Sequence, residues 1–199
     1  MESVKILYID DNTDAYITRY LCEEYRYNGV KIECYQRSFE SKDTYESLLN
    51  DKAVHFADII IIDSLLFENA NLSNQKLTGE EFEIILRKVF PFKEVIVVTQ
   101  NDIDEDYRVI KKFDTSSGGN CNSFFEREWK PLLDRAVEKI ELCRKLLKRI
   151  EEKDYVEKYF FEEIQQSLQG ESGYDKLTVA DIDRLIVAFE GIKENYDRH

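Results

Sequence analysis

Val4 to Ile9 is a short apolar run that closes on Asp10-Asp11, after which the spacing of apolar positions changes. Ala15, Ile17, Tyr20, Leu21 and Tyr25 fall on one side of a 3.6-residue period, which predicts a helix over Asn12 to Arg26. Asn28-Gly29 turns the chain into a second strand at Val30 to Tyr35, and Thr44 to Leu49 reads as a second, short helix. Ala57 to Ile62 is almost wholly aliphatic and ends at Asp63, as a central parallel strand covered on both faces should. Gly79 to Phe90 then predicts a third helix, Val95 to Thr99 a fourth strand and Arg108 to Phe113 a fifth. Strands alternating with helices predict a doubly wound α/β sheet over about residues 1–125.

The pattern changes after the Ser/Gly/Asn-rich stretch from Thr115 to Ser123. Leu132 to Leu168 contains neither Gly nor Pro and predicts one long charged helix, so 126–199 reads as a helical C-terminal module. Trp129, Leu133, Ala136, Ile140, Cys143, Leu147 and Ile150 step by fours and threes, the seam of a coiled coil. The first half of that stripe, Trp129 to about Ile140, is better read as a helix face packed on the sheet. The second half suits either a homodimer through 129–150 or a hairpin with Tyr155 to Leu168. A turn at Gly170 to Gly173 precedes a last helix with Ile182, Leu185, Ile186 and Phe189 on one face.

Charge narrows the partners. The net charge of −13 repels polyanions, so nucleic acid is disfavoured, and acids at Asp181 and Asp183 do not suit a recognition helix. The longest apolar stretch is broken by Asp63 and is far too short to cross a membrane. Cys22, Cys34, Cys121 and Cys143 show no metal-ligand spacing and are too sparse for a disulfide scaffold, which predicts free thiols in a reducing compartment. The opening MESVKILYID lacks the basic start of an export leader, and the expected location is cytoplasmic. His55 and His199 have no nucleophile pattern near them, and no phosphate-cradling glycine motif occurs.

Candidate chemistry lies at the strand ends. Ligands of an open parallel sheet bind beyond the carboxyl ends of its strands, where the sequence puts Asp10, Asp11 and Asp63. Three close carboxylates repel one another unless a cation sits among them, and Mg²⁺ is the economical choice. Thr99 and Lys111 end the next two strands.

In order, KILYIDDN, ADIIIIDSLL, LTGEEFEIILRK, VIVVTQ and VIKKFD resemble the conserved pieces of the receiver domain of two-component response regulators over roughly residues 3–140. The resemblance implies a flavodoxin-like sheet of five parallel strands. It makes Asp63 a phosphoacceptor served by a histidine kinase or phosphotransfer protein, and it implies signalling to a downstream protein partner. It implies Mg²⁺ held by Asp10, Asp11, Asp63 and the backbone carbonyl of Leu65, with Thr99 and Lys111 on phosphoryl oxygens. Lys112 is the alternative lysine if the register moves by one. Set against the family, 68–76 resembles an insertion beside the acceptor. The stretch from Thr99 to Lys111 is too short for an average helix with its loops, so the fourth helix is expected to be shortened or lost. Gln100 stands where a small residue is usual, Lys112 replaces the usual proline, and Arg108 falls at the aromatic switch position. A receiver-fold module that takes no phosphate, and a transcriptional regulator with a helical output tail, are the competing readings. A Mg²⁺ phosphatase is weaker still, since DDNT lacks the DxD spacing of its nucleophile.

Overall fold

The computed structural model describes residues 3–67, 77–101, 109–117, 119–153 and 158–169. Five strands, β1 (Ser3–Asp10), β2 (Lys31–Ser38), β3 (Ile59–Asp63), β4 (Glu94–Thr99) and β5 (Val109–Lys111), form one sheet in the order β2-β1-β3-β4-β5. Every pairing is parallel. This is the flavodoxin-like order, whose strand sequence reverses between β1 and β3 and opens a crevice there.

Period-two alternation decides what covers each face. Val4, Ile6 and Tyr8 of β1, Ile59 and Ile61 of β3, Ile96 and Val98 of β4 and Ile110 of β5 point to one side. Helix α1 (Ala15–Arg19) and helix α6 (Lys130–Glu151) cover it with Ile17, Leu133, Ala136, Val137 and Ile140. Leu7, Ile9, Ile60, Ile62, Val95 and Val97 point to the other side, under α2 (Tyr45–Leu49), α3 (Lys52–Phe56) and α4 (Gly79–Val89). Caps fix where these helices begin. Asp14 accepts the Tyr16 and Ile17 amides, so α1 starts at Ala15 rather than at Asn12. Thr44 and Thr78 each close a reciprocal capping box, with Ser47 and Glu81.

Two widened turns face each other across the first layer. Tyr25 N–H reaches back five residues to the Tyr20 carbonyl, Lys130 N–H does the same to Phe125, and the Tyr20 and Phe125 rings stack at 4.5 Å between them. The first of these turns lies over β2, and there the free-thiol expectation fails: Cys22 and Cys34 form a disulfide, their Cα atoms 5.0 Å apart. The two cysteines come from different elements, so their spacing in sequence carried no sign of it. Cys121, at the start of α5 (Cys121–Phe124), and Cys143 are free.

The single helix expected over Leu132 to Leu168 is two: α6 ends at Glu151 and α7 (Lys158–Gln169) packs back against it. The Trp129 to Ile140 half of the heptad stripe is buried under the chain's own sheet. That half is therefore spent on the sheet, as the sheet-covering alternative expects, while Cys143, Leu147 and Ile150 are half-buried. None of the described helices is long and apolar enough to cross a membrane. The insertion expected at 68–76, the segment 102–108 where the fourth helix is expected to be shortened or lost, with Arg108, and the helix expected around Ile182 to Phe189 lie outside the described residues.

Candidate functional site

Strand phase brings the site together. Asp10 follows Tyr8, Asp63 follows Ile61, and Lys112 follows Ile110, each two residues on and therefore on the same side of the sheet. Lys112 lies just past β5, its amide donating to the Thr99 carbonyl at 2.8 Å. At the carboxyl edge, carboxylate oxygens of Asp10, Asp11 and Asp63 come within 4.8 Å of one another. They line a cleft of about 360 Å³ with Asn12, Thr13, Asp14, Leu65, Gln100, Asn101 and Lys112.

The Lys112 ammonium bridges two of the acids, 2.8 Å from Asp10 Oδ2 and 2.7 Å from Asp63 Oδ1. Asp63 Oδ2 accepts the Leu65 amide at 3.0 Å, and Asp10 Oδ1 accepts the Asn12 amide at 2.9 Å. The Tyr8 hydroxyl donates to Asp10 Oδ2 and lies 3.5 Å from the Asp14 amide.

The electrostatics follow from this packing. Burial raises the Asp63 carboxyl above the ordinary carboxylate range, and the Lys112 charge only partly offsets it. Burial works against the charge on Lys112, but its hydrogen bonds to Asp10 and Asp63 win and raise it. Burial, and then the Asp10 charge, push the Tyr8 phenol far up, so it is a neutral donor.

Of the residues expected in the site, the structure gathers Asp10, Asp11, Asp63 and Leu65. Lys111 is on the opposite strand phase, exposed, and its carbonyl accepts the Trp129 indole N–H at 3.0 Å. The lysine in the cleft is Lys112. Thr99 is buried with its hydroxyl accepting the Asn101 amide, while Gln100 and Asn101 line the cleft instead. Leu65 engages Asp63 through its N–H. Tyr8 was missed altogether; its signal was a phenol two residues before an acid on a strand otherwise aliphatic at its buried positions.

The loop after Asp63 is held tightly. Gly79 N–H donates to the Ser64 carbonyl at 2.8 Å, and the Ser64 hydroxyl donates to Glu80 at 2.7 Å. A Cβ on Gly79 would stand 2.5 Å from the Asp63 carbonyl oxygen and 2.8 Å from Ser64 Cα, so only glycine permits α4 to approach this closely.

The donor set fits Mg²⁺. Three carboxylates are hard oxygen ligands of the kind that ion takes, one or two at a time with water. With all groups ionised, Lys112 leaves the cluster doubly negative, the complement of a divalent cation.

Fold and cleft thus define an α/β protein of flavodoxin-like topology with an acidic, lysine-bridged site at its strand-order reversal. No protein-family model and no curated protein matches the chain. A solved structure, the "Crystal structure of a two component transcriptional regulator AraC from Clostridium phytofermentans ISDg", is similar at a TM-score of 0.43 with 14% identity. The likeness covers 72% of this chain and 99% of that one. It is too slight to carry an argument.

Proposed function

We propose that this chain is a phosphorelay signalling protein, a receiver whose Asp63 takes a phosphoryl group from a histidine kinase or phosphotransfer protein. The observation that carries the reading is the position of Asp63. It ends the central strand beside the strand-order reversal, in one cleft with Asp10 and Asp11 and in contact with Lys112.

In this reading a carboxylate oxygen of Asp63 attacks phosphorus, a phosphorus–oxygen bond forms, and the donor's phosphorus–nitrogen bond breaks with its electron pair left on the imidazole. Burial strips water from the attacking carboxylate. Lys112, already on that carboxylate, is placed to follow charge onto the phosphoryl oxygens. Asp11 and Asp10 would hold Mg²⁺ with Asp63 and the Leu65 carbonyl, and the ion would neutralise those oxygens. Thr99 and Lys111 enter the chemistry only if the cleft rearranges. Output to a protein partner suits α6, which carries exposed Leu142 and Leu146 beyond the sheet.

Intact-protein mass after incubation with acetyl phosphate tests this. One added phosphoryl that requires both Mg²⁺ and Asp63, and is lost in Asp63→Asn, is the expected result. No gain from acetyl phosphate or from a phosphohistidine donor would overturn it.

A second reading has its own observation. Lys112 bridges Asp10 and Asp63 as a counter-ion supplied by the chain itself, as in a receiver-fold module that signals without phosphate or metal. That module would give no mass gain from either donor.

A further inference from the structure

Tyr8 belongs to no part of the phosphoacceptor chemistry above, yet it reaches the middle of the cluster. Its ring is buried among the residues under α1 and α6. Its hydroxyl emerges at the sheet's edge on the same oxygen of Asp10 that Lys112 holds. A carboxylate oxygen has two lone-pair directions, and Oδ2 of Asp10 meets two donors, the Tyr8 hydroxyl and the Lys112 ammonium. Oδ1 meets a third, the Asn12 amide. Asp10 therefore stands turned toward the protein, with one lone pair left, while Asp11 is half-exposed on the cleft side.

We propose that Tyr8 is a positioning residue that lowers the cleft's affinity for a divalent cation by occupying Asp10 Oδ2 and keeping that carboxylate paired with Lys112. The inference rests on the reading of the cleft as a Mg²⁺ site and deepens it. A hydrogen bond to a charged group must be surrendered before Oδ2 can face a cation or its water shell. Removing the hydroxyl frees one of the two acceptor directions of that oxygen, Lys112 keeping the other, without altering the ring's packing. A purely structural phenol would have the opposite effect, because its loss would loosen the cluster and weaken the site.

Calorimetric titration of the whole chain with MgCl₂ reads the difference. Tyr8→Phe should bind Mg²⁺ about tenfold more tightly than the unaltered protein, the scale of one charge-assisted hydrogen bond. In an Asp10→Asn background the same substitution should change nothing, since the effect travels through Asp10. If the urea midpoint of Tyr8→Phe collapses, Tyr8→Met fills the space without a hydroxyl and takes its place. Equal or weaker Mg²⁺ binding by the hydroxyl-free protein overturns the role of Tyr8, as does an equal gain in the Asp10→Asn background. If unaltered protein binds Mg²⁺ and accepts phosphate while Tyr8→Phe shows no change, Tyr8 alone is misassigned. If neither form binds Mg²⁺, the metal site and the role of Tyr8 fall together.

Discussion

Lys112 Nζ lies 2.7 Å from Asp63 Oδ1 with only 8% of its side chain exposed, so the carboxylate and its ammonium partner are buried as a pair. Removing one partner of a buried pair leaves an uncompensated charge, at a cost of about 3–5 kcal/mol. In metal-free buffer Lys112→Met should lose stability on that scale in urea unfolding. Millimolar Mg²⁺ should return part of it, by binding only the folded state. Lys111→Met, at an exposed side chain, should stay within about 0.5 kcal/mol of the unaltered protein. Equal losses at the two positions would contradict the assignment of Lys112 to the cleft.

Gly79 is where α4 touches the backbone after Asp63. Gly79→Ala forces a Cβ against two backbone atoms that cannot rotate away, so α4 and the loop must separate. A stability loss of about 1–3 kcal/mol is expected, together with a drop in phosphoryl acceptance under conditions where the variant is fully folded. Crystals of the variant with an unmoved loop would refute this.

Lys93 is buried at the opposite end of the sheet, donating at 2.6 Å to the His55 and Ala57 carbonyls. Burial lowers its ammonium to about 8. The unfolded chain therefore binds more protons than the folded one between pH 8 and the ordinary lysine value, so stability rises with pH in that window. From pH 8 to 10 the gain is about 2 kcal/mol. Tyr8, Tyr20 and Tyr25, whose phenols burial raises, act in the other direction as pH climbs past about 9 and offset part of the Lys93 gain by pH 10. Lys93→Met should flatten the rise in denaturant midpoint across pH 8 to 10. An unchanged slope would assign the dependence to other groups.

The Cys22–Cys34 bridge closes a short loop between the widened turn after α1 and β2. Alkylation of denatured, unreduced protein should label two thiols, Cys121 and Cys143. Reduction should lower stability by about 3 kcal/mol, the scale for a loop of this length. Labelling of all four thiols before reduction would restore the free-thiol expectation.

The centre of the sheet was readable because β1 and β3 carry aliphatic residues on both faces and end in carboxylates, a pattern that burial between helix layers produces. Asp10, Asp11 and Asp63 followed from their positions at strand ends. The lysine did not, because choosing between Lys111 and Lys112 needs the strand's phase. That phase is fixed by Ile110 pairing with Val98 of β4 and pointing into the same core layer as Tyr8 and Ile61, a register set by strands distant in sequence. The apolar stripe of α6 covers the sheet in its first half, as read, but the stripe alone left open whether a second copy or α7 meets the second half, since it is the same whichever helix covers it. The start of α1 was misplaced by three residues because Asp14, not Asn12, supplies the cap.

The hydrogen bond from Trp129 to the Lys111 carbonyl gives the chain an optical probe of its own. Trp129 is the single tryptophan, and its indole is anchored one peptide bond from the lysine that bridges Asp10 and Asp63. A shift of the backbone at Lys111-Lys112 that accompanies release of the bridge would move the indole's acceptor, so the emission of one buried fluorophore is an unlabelled probe of the cleft placed where α6 begins.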